Sequence, residues 1–187
     1  MTGGEALSDD LQAPVTADDH AQGPEGAPAT LVEYADYECP YSHRAFHVIK
    51  GLQRELGDQL RFVYRHFPLR DIHPHAQQAA EAAEAAANQG RFWEMHDLLF
   101  EHQRALDDEH LAEYADQLGL DPVGFELELA EHTSAGRIER DLRGGVSSGV
   151  RGTPTFFVNG VRHEGDYGRE SLLRVLREAM ARRDGPG

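Results

Sequence analysis

The apolar and polar positions fall into alternating blocks. Residues 30–37 read Thr-Leu-Val-Glu-Tyr-Ala-Asp-Tyr, a β-rich run that predicts the first core strand. Pro40 can open a helix from Tyr41 to about Glu55, with Phe46, Val48, Ile49, Leu52 and Leu56 apolar and Gly57 as its stop. Residues 60–67 read as a second strand, ended by Pro68. Strand, helix and strand in so short a span make a right-handed βαβ unit with parallel strands. After Pro74 the pattern turns helical: an Ala/Glu/Gln run over 76–88, an amphipathic block from Phe92 to Phe100, a helix capped by Asp107 or Asp108, and a fourth opened by Asp121-Pro122. A fifth follows from near Thr133 to Gly144-Gly145. Their outer faces are too polar for burial all round. Residues 155–158 and 161–164 flank Asn159-Gly160, a strong type I′ hairpin signal. A last helix spans about 169–182. The plan is α/β: β-α-β, an all-helical insertion of four to five helices over about 74–146, then β-β-α, in one domain over 29–183. Residues 1–28 hold few large apolar side chains and read as a flexible acidic arm.

The chain has 187 residues, 40% of them hydrophobic and 27% charged, a globular composition. No apolar run approaches the roughly 20 residues of a membrane helix, so membrane insertion is not expected. The start, Met-Thr-Gly-Gly-Glu, lacks the basic and apolar parts of a secretory signal. A net charge of −15 repels phosphate backbones and makes nucleic acid a poor partner. The one cysteine, Cys39, excludes an internal disulfide and a Cys-based zinc cluster, which points to the cytosol. His73, His75, His96 and His102 show no metal-ligand spacing, so no metal is expected.

Cys39 lies between a predicted strand and a helix. A sulfur at a helix N-terminus meets free amides and the positive end of the macrodipole, and thiols so placed titrate at about 3.5–7.5 instead of roughly 8.5. That favours a nucleophile over a small buried hydrophobe. His43, one turn on, either adds positive charge near the sulfur or belongs with His47 to a solvated stripe. Asp36 and Glu38 work in the opposite sense, since negative neighbours raise a thiol.

The run Glu33-Tyr-Ala-Asp-Tyr-Glu-Cys39-Pro40-Tyr41-Ser42, followed downstream by Gly152-Thr153-Pro154-Thr155-Phe156-Phe157-Val158-Asn159-Gly160, resembles the DsbA-like branch of the thioredoxin superfamily. Phe67-Pro68-Leu69 and the Phe92-Trp93-Glu94-Met95-His96 helix start are also similar. The resemblance spans about residues 29–182 and implies a thioredoxin fold carrying the helical insertion. It makes Cys39 the nucleophile that forms a mixed disulfide and Pro154 the cis-proline beside the sulfur. It also implies that the Thr153 backbone pairs with an extended substrate segment; Pro40, Tyr41 and His43 are the other candidate substrate contacts. Glu33 matches a buried acid that accepts or relays a proton; the alternative is a structural carboxylate paired with Arg61 or Arg65.

One departure changes the chemistry. The family pattern is Cys-Pro-x-Cys, and here Ser42 stands at the second cysteine. Ser42 cannot resolve a mixed disulfide, although its hydroxyl can donate to the Cys39 thiolate. Either the protein is a natural monothiol oxidoreductase, with glutathione or another thiol as co-substrate and no other cofactor, or it is an engineered Cys-to-Ser trap of a dithiol enzyme. Its partners are then protein or small-molecule disulfides and thiols. A different class of function is a non-catalytic module that binds peptides at a retired redox site. Peroxide sensing by a lone exposed thiol is a third.

Overall fold

The structure, a computed structural model, describes residues 10–183. In chain order its elements are β1 (His20–Gln22), β2 (Ala29–Ala35), α1 (Pro40–Leu56), β3 (Leu60–His66), α2 (Ala76–Asn88), α3 (Phe92–Glu101), α4 (Asp108–Gln117), α5 (Pro122–Ala130), α6 (Ala135–Ser147), β4 (Thr155–Val158), β5 (Val161–Arg162) and α7 (Arg169–Arg183). One sheet runs in the order β1-β3-β2-β4-β5. β2 and β3 are parallel, from Ala29 opposite Leu60 to Ala35 opposite His66, as a strand-helix-strand crossover demands. β4 lies antiparallel on the other side of β2, with Thr155 opposite Tyr34. The β4–β5 turn has Asn159 and Gly160 at φ 47° and 85°, both positive as a type I′ turn requires.

β2 is buried on both faces because it is the central strand. Leu31 and Ala35 enter the larger core with Phe46, Ile49 and Leu52 of α1 and Leu172 and Leu176 of α7. Val32 and Tyr34 enter a smaller core with Val63, Phe67, Val150 and Phe157. The alternation of strand side chains puts Glu33 on the face of Leu31 and Ala35. The insertion, α2 through α6, joins the end of β3 to the loop before β4.

Two expectations need correction. Residues 1–9 of the predicted arm lie outside the described residues, but residues 10–28 are packed onto the sheet. β1 pairs antiparallel with β3, and the Leu11 amide donates to the Gly160 carbonyl at 2.8 Å. Backbone pairing and a buried ion pair fix this segment together with a few scattered apolar side chains, Leu11, Val15 and Ala21, that pack against the smaller core, too few to give a hydrophobic period. The Arg65 guanidinium donates to both carboxylate oxygens of Asp19 at 2.8 and 2.9 Å and to the carbonyls of Ala13 and Pro14 at 2.7 and 2.9 Å. It also reaches the Tyr34 hydroxyl at 2.8 Å. Both members of the Asp19–Arg65 pair have side chains only 5% exposed. Removing one partner of a buried pair strands the other charge, so Asp19→Ala is expected to lower stability by on the order of 3 kcal/mol. Urea denaturation measures it; a loss below about 1 kcal/mol would assign the pair a surface-like role.

The second correction concerns α2, expected to keep a polar outer face. Nine of its residues are buried, including Glu81 and Glu84. Seven buried alanines let neighbouring elements approach the backbone closely, and both acids are paired. Gln77 donates to Glu81 at 2.6 Å, and His132 lies 2.8 Å from the same carboxylate.

Candidate active site

Cys39 is the N-cap residue of α1, extended at φ −73° and ψ 120°, with Pro40 at the first helical position. Its carbonyl accepts the first helical bond, from the His43 amide at 3.1 Å. Proline at this position suits the site because its fixed φ is helical and the missing N–H would lack a helical partner anyway. Since β4 runs antiparallel to β2, the start of β4 lies at the end of β2 where α1 begins. Thus Thr153 and Pro154 arrive beside Cys39 from far along the chain. The Cys39 thiol donates to the Thr153 carbonyl at 3.4 Å, and the Thr153–Pro154 bond is cis. Cys39 is 3% exposed, so the exposed thiol behind the peroxide-sensing idea is corrected: the loop before β4 covers it.

A polar frame holds the turn that carries the sulfur. Asp36 is buried at the end of β2. One carboxylate oxygen accepts from the Glu38 amide at 2.8 Å. The other accepts from the Leu69 amide at 2.8 Å and lies 2.8 Å from His73 Nδ1. Its carbonyl accepts from the Cys39 amide at 3.1 Å. Glu38 in turn accepts from the His75 amide at 2.7 Å. From the end of α3, Gln103 donates to the carbonyls of Tyr37 and Cys39, both at 2.8 Å. Sequence reasoning treated Asp36 and Glu38 only as charges and passed over Gln103 and this use of His73. The acid-rich start of the turn was the available signal, since Asp commonly caps local backbone amides.

Ser42 is fully buried, and its oxygen accepts from the Asp36 amide at 3.4 Å. The hydrogen bond expected from Ser42 to the sulfur is not formed; the hydroxyl belongs to the frame of the turn. Tyr41 is 53% exposed, with the Arg44 guanidinium 5.2 Å from its ring centre, and Ile72 in the loop beyond Leu69 is 68% exposed. His43 does not bond the sulfur; its Nε2 lies 3.1 Å from His47 Nε2, and its Nδ1 is buried without a partner. Beside the sulfur, Thr153 Oγ1 is buried and unpartnered. No protein group among the described residues accepts from the Thr153 amide.

Glu33 Oε1 is buried without a hydrogen-bond partner. The alternative of an ion pair with Arg61 or Arg65 is not met. Arg65 is committed to Asp19, and Arg61 Nε itself lacks a partner. Burial pushes the Glu33 carboxyl up to about 8, so it is protonated at neutral pH. Its surroundings are a gap too tight for water, lined by Phe46, Ile49, Lys50 and Gln53 of α1 with Phe62 and His96. Glu33 thus sits under the middle of α1, while Cys39 sits at its start.

A second polar centre escaped the sequence reading. His20 and His66 each place Nε2 2.7 Å from Glu84 Oε1, and Arg137 donates to the same oxygen at 2.9 Å. The two imidazoles and the carboxylate present ligand atoms within 4.8 Å of one another. The Arg137 guanidinium supplies the cation that faces Glu84 here. Although burial works against ionisation, the hydrogen bonds from His20 and His66 hold Glu84 well below the usual carboxylate range. The four residues lie on β1, β3, α2 and α6, so the centre ties the packed N-terminal segment to the insertion.

A family model described as thioredoxin matches residues 15–178. The chain belongs to the thioredoxin family. Among solved structures of this fold, a thioredoxin-like oxidoreductase from Silicibacter pomeroyi is 25% identical, with a TM-score of 0.78 over 91% of this chain and 95% of that one. Oxidised BdbD from Bacillus subtilis is 22% identical, at a TM-score of 0.81 over 95% of this chain and all of that one. Wolbachia pipientis α-DsbA1 is 19% identical, at 0.76 over 94% and 97%. The DsbA-like thioredoxin fold with a helical insertion is therefore the architecture here. Among curated proteins, one named Na(+)/H(+) antiporter NhaA 3 from Salinispora tropica is 51% identical over 92% of this chain and 26% of its own length. A Na(+)/H(+) antiporter NhaA from Herminiimonas arsenicoxydans is 47% identical over 89% and 26%. The chain spans about a quarter of the length of these relatives. No helix among the described residues is long and apolar enough to cross a membrane.

Proposed function

We propose that this thioredoxin-family chain is a monothiol thiol–disulfide oxidoreductase whose nucleophile is Cys39. The contact of its sulfur with the Thr153 carbonyl, at the start of α1 and beside Pro154, carries this reading. The Cys39 thiolate attacks a substrate disulfide R–S–S–R′, forming Cys39–S–S–R and releasing R′–S⁻, which takes a proton from solvent. An external thiolate of the glutathione class then attacks the substrate-derived sulfur. That step returns the Cys39 thiolate and releases R as a mixed disulfide with the external thiol. In this scheme an extended substrate segment pairs with the unpartnered Thr153 amide, and Tyr41 supplies apolar contact. Because Ser42 takes no part in the electron balance, the external thiol is required.

The buried state of Cys39 favours a second reading, a module that holds peptides without turnover. One experiment separates the two. Incubation with oxidised glutathione at neutral pH is expected to give a single glutathione adduct on Cys39, seen by mass spectrometry, removed by excess reduced glutathione and absent from Cys39→Ala. If no adduct forms while an extended peptide still binds, the module reading replaces this one. The antiporter name belongs to relatives matched over about a quarter of their length, and the proposal rests on the Cys39 site alone.

A further inference from the structure

The first turn of α1 borders a groove of about 500 Å³ that the loop following α3 closes on its far side. This volume is typical of small-ligand clefts, roughly 300–1,000 Å³. Pro40, His43 and Arg44 line one wall, and Glu101, Gln103 and Arg104 line the other. The groove thus begins at the residue after the nucleophile, and Gln103, which clamps the Cys39 carbonyl, forms part of its wall.

Its charge is unlike that of the molecule around it. The chain carries −15, yet two guanidinium groups line the groove and Glu101 is the one acid in its lining. Neither Arg44 nor Arg104 is ion-paired among the described residues. Other arginines, such as Arg65, Arg137 and Arg169, are paired with carboxylates. His43 adds a buried Nδ1 with no protein partner. Screening at physiological salt acts over about 8 Å, so an anion in the groove feels these local cations more than the distant acids. We propose that the groove holds the glutathione half of a mixed disulfide at Cys39, with Arg44 and Arg104 as the groups that recognise its carboxylates.

This inference rests on the monothiol reading and names the class of disulfide it prefers. The reaction is Cys39–S⁻ plus oxidised glutathione, giving Cys39–S–S–glutathione and one glutathione thiolate. Specificity arises because a small thiol carrying two carboxylates finds two guanidiniums, whereas a neutral or cationic thiol of similar reach does not.

The test compares rates of adduct formation at Cys39 with three disulfides: oxidised glutathione, neutral hydroxyethyl disulfide and cationic cystamine. In the Arg44→Gln/Arg104→Gln variant the rate with oxidised glutathione is expected to fall about tenfold, with hydroxyethyl disulfide unchanged. Arg44→Glu/Arg104→Glu is expected to slow glutathione further and to speed cystamine. Both arginines are exposed, and a thermal melt of each variant checks that the fold is intact. Equal changes for all three disulfides, or no change for glutathione, overturn the inference and leave the monothiol reading standing. Failure of the unmodified protein to form any adduct overturns that reading itself.

Discussion

Ser42→Cys is expected to turn the site into a dithiol couple. The first turn of a helix separates Cα atoms three residues apart by about 5 Å, inside the span a disulfide bridges. Position 42 is buried directly behind the N-cap, so the new sulfur enters the protein beneath Cys39. Little is lost: the Ser42 oxygen accepts one hydrogen bond, from the Asp36 amide at 3.4 Å, long enough to be weak. A resolving thiol on the same turn reacts as an intramolecular group, and well-oriented groups reach very high effective molarities. Release of substrate from Cys39 should therefore accelerate on the order of a hundredfold or more over millimolar glutathione and lose its dependence on added thiol. Stopped-flow release of a chromogenic thiol from its Cys39 adduct measures both. Two free thiols persisting after oxidation would mean that the site cannot close a disulfide, and would also speak against the Cys-to-Ser trap.

Replacing Glu33 with glutamine should remove a large pH dependence of stability. The ordinary carboxyl value of 4.5 is raised to about 8 in the fold by burial. Between those limits the folded chain holds a proton that the unfolded chain has released, so stability falls as pH rises, by up to about 1.4 kcal/mol per pH unit. Below the lower limit both states are protonated, above the upper both are ionised, and the slope disappears. From pH 5 to pH 8 this group should cost the unmodified protein on the order of 3 kcal/mol, and Glu33→Gln should lose none of that. The glutamine amide brings donors of its own to a closed gap, but their cost does not vary with pH, so the slope is the readout. Denaturant midpoints at pH 5, 6.5 and 8 suffice. Parallel profiles for the two proteins would show that Glu33 ionises normally.

The two variants also separate what was legible in the chain from what was not. The strand before Cys39, the helix opened by Pro40 and the hairpin turn at Asn159-Gly160 all rest on local signals: β-rich composition, a proline at the first helical position, and residues tolerant of positive φ. Each appears close to where those signals put it. The second strand of the hairpin is shorter than read, Val161–Arg162 against 161–164, because only the His163 amide continues the pairing, to Phe156 at 2.9 Å. The packed N-terminal segment was missed because much of what holds it is long-range polar contact, such as the Arg65 guanidinium meeting an aspartate 46 residues away. Hydrophobic periodicity has no signature for that. Likewise, Asp36 and Glu38 looked like charges that would oppose a thiolate, and in the fold they are ligands for backbone amides.

By itself the sequence determined that the one cysteine, Cys39, sits at the mouth of a helix with Ser42 and no second cysteine on the same turn, because these depend on neighbouring residues. Tertiary structure decided the rest. It set the Thr153 carbonyl against Cys39 across 114 residues, turned Ser42 inward, gave Glu33 neither of the arginines offered as its alternative partner, and lined one groove with two guanidiniums that have no ion-pair partner among the described residues. Those outcomes depend on which distant groups compete for the same partner, and that competition is settled only when the chain is packed.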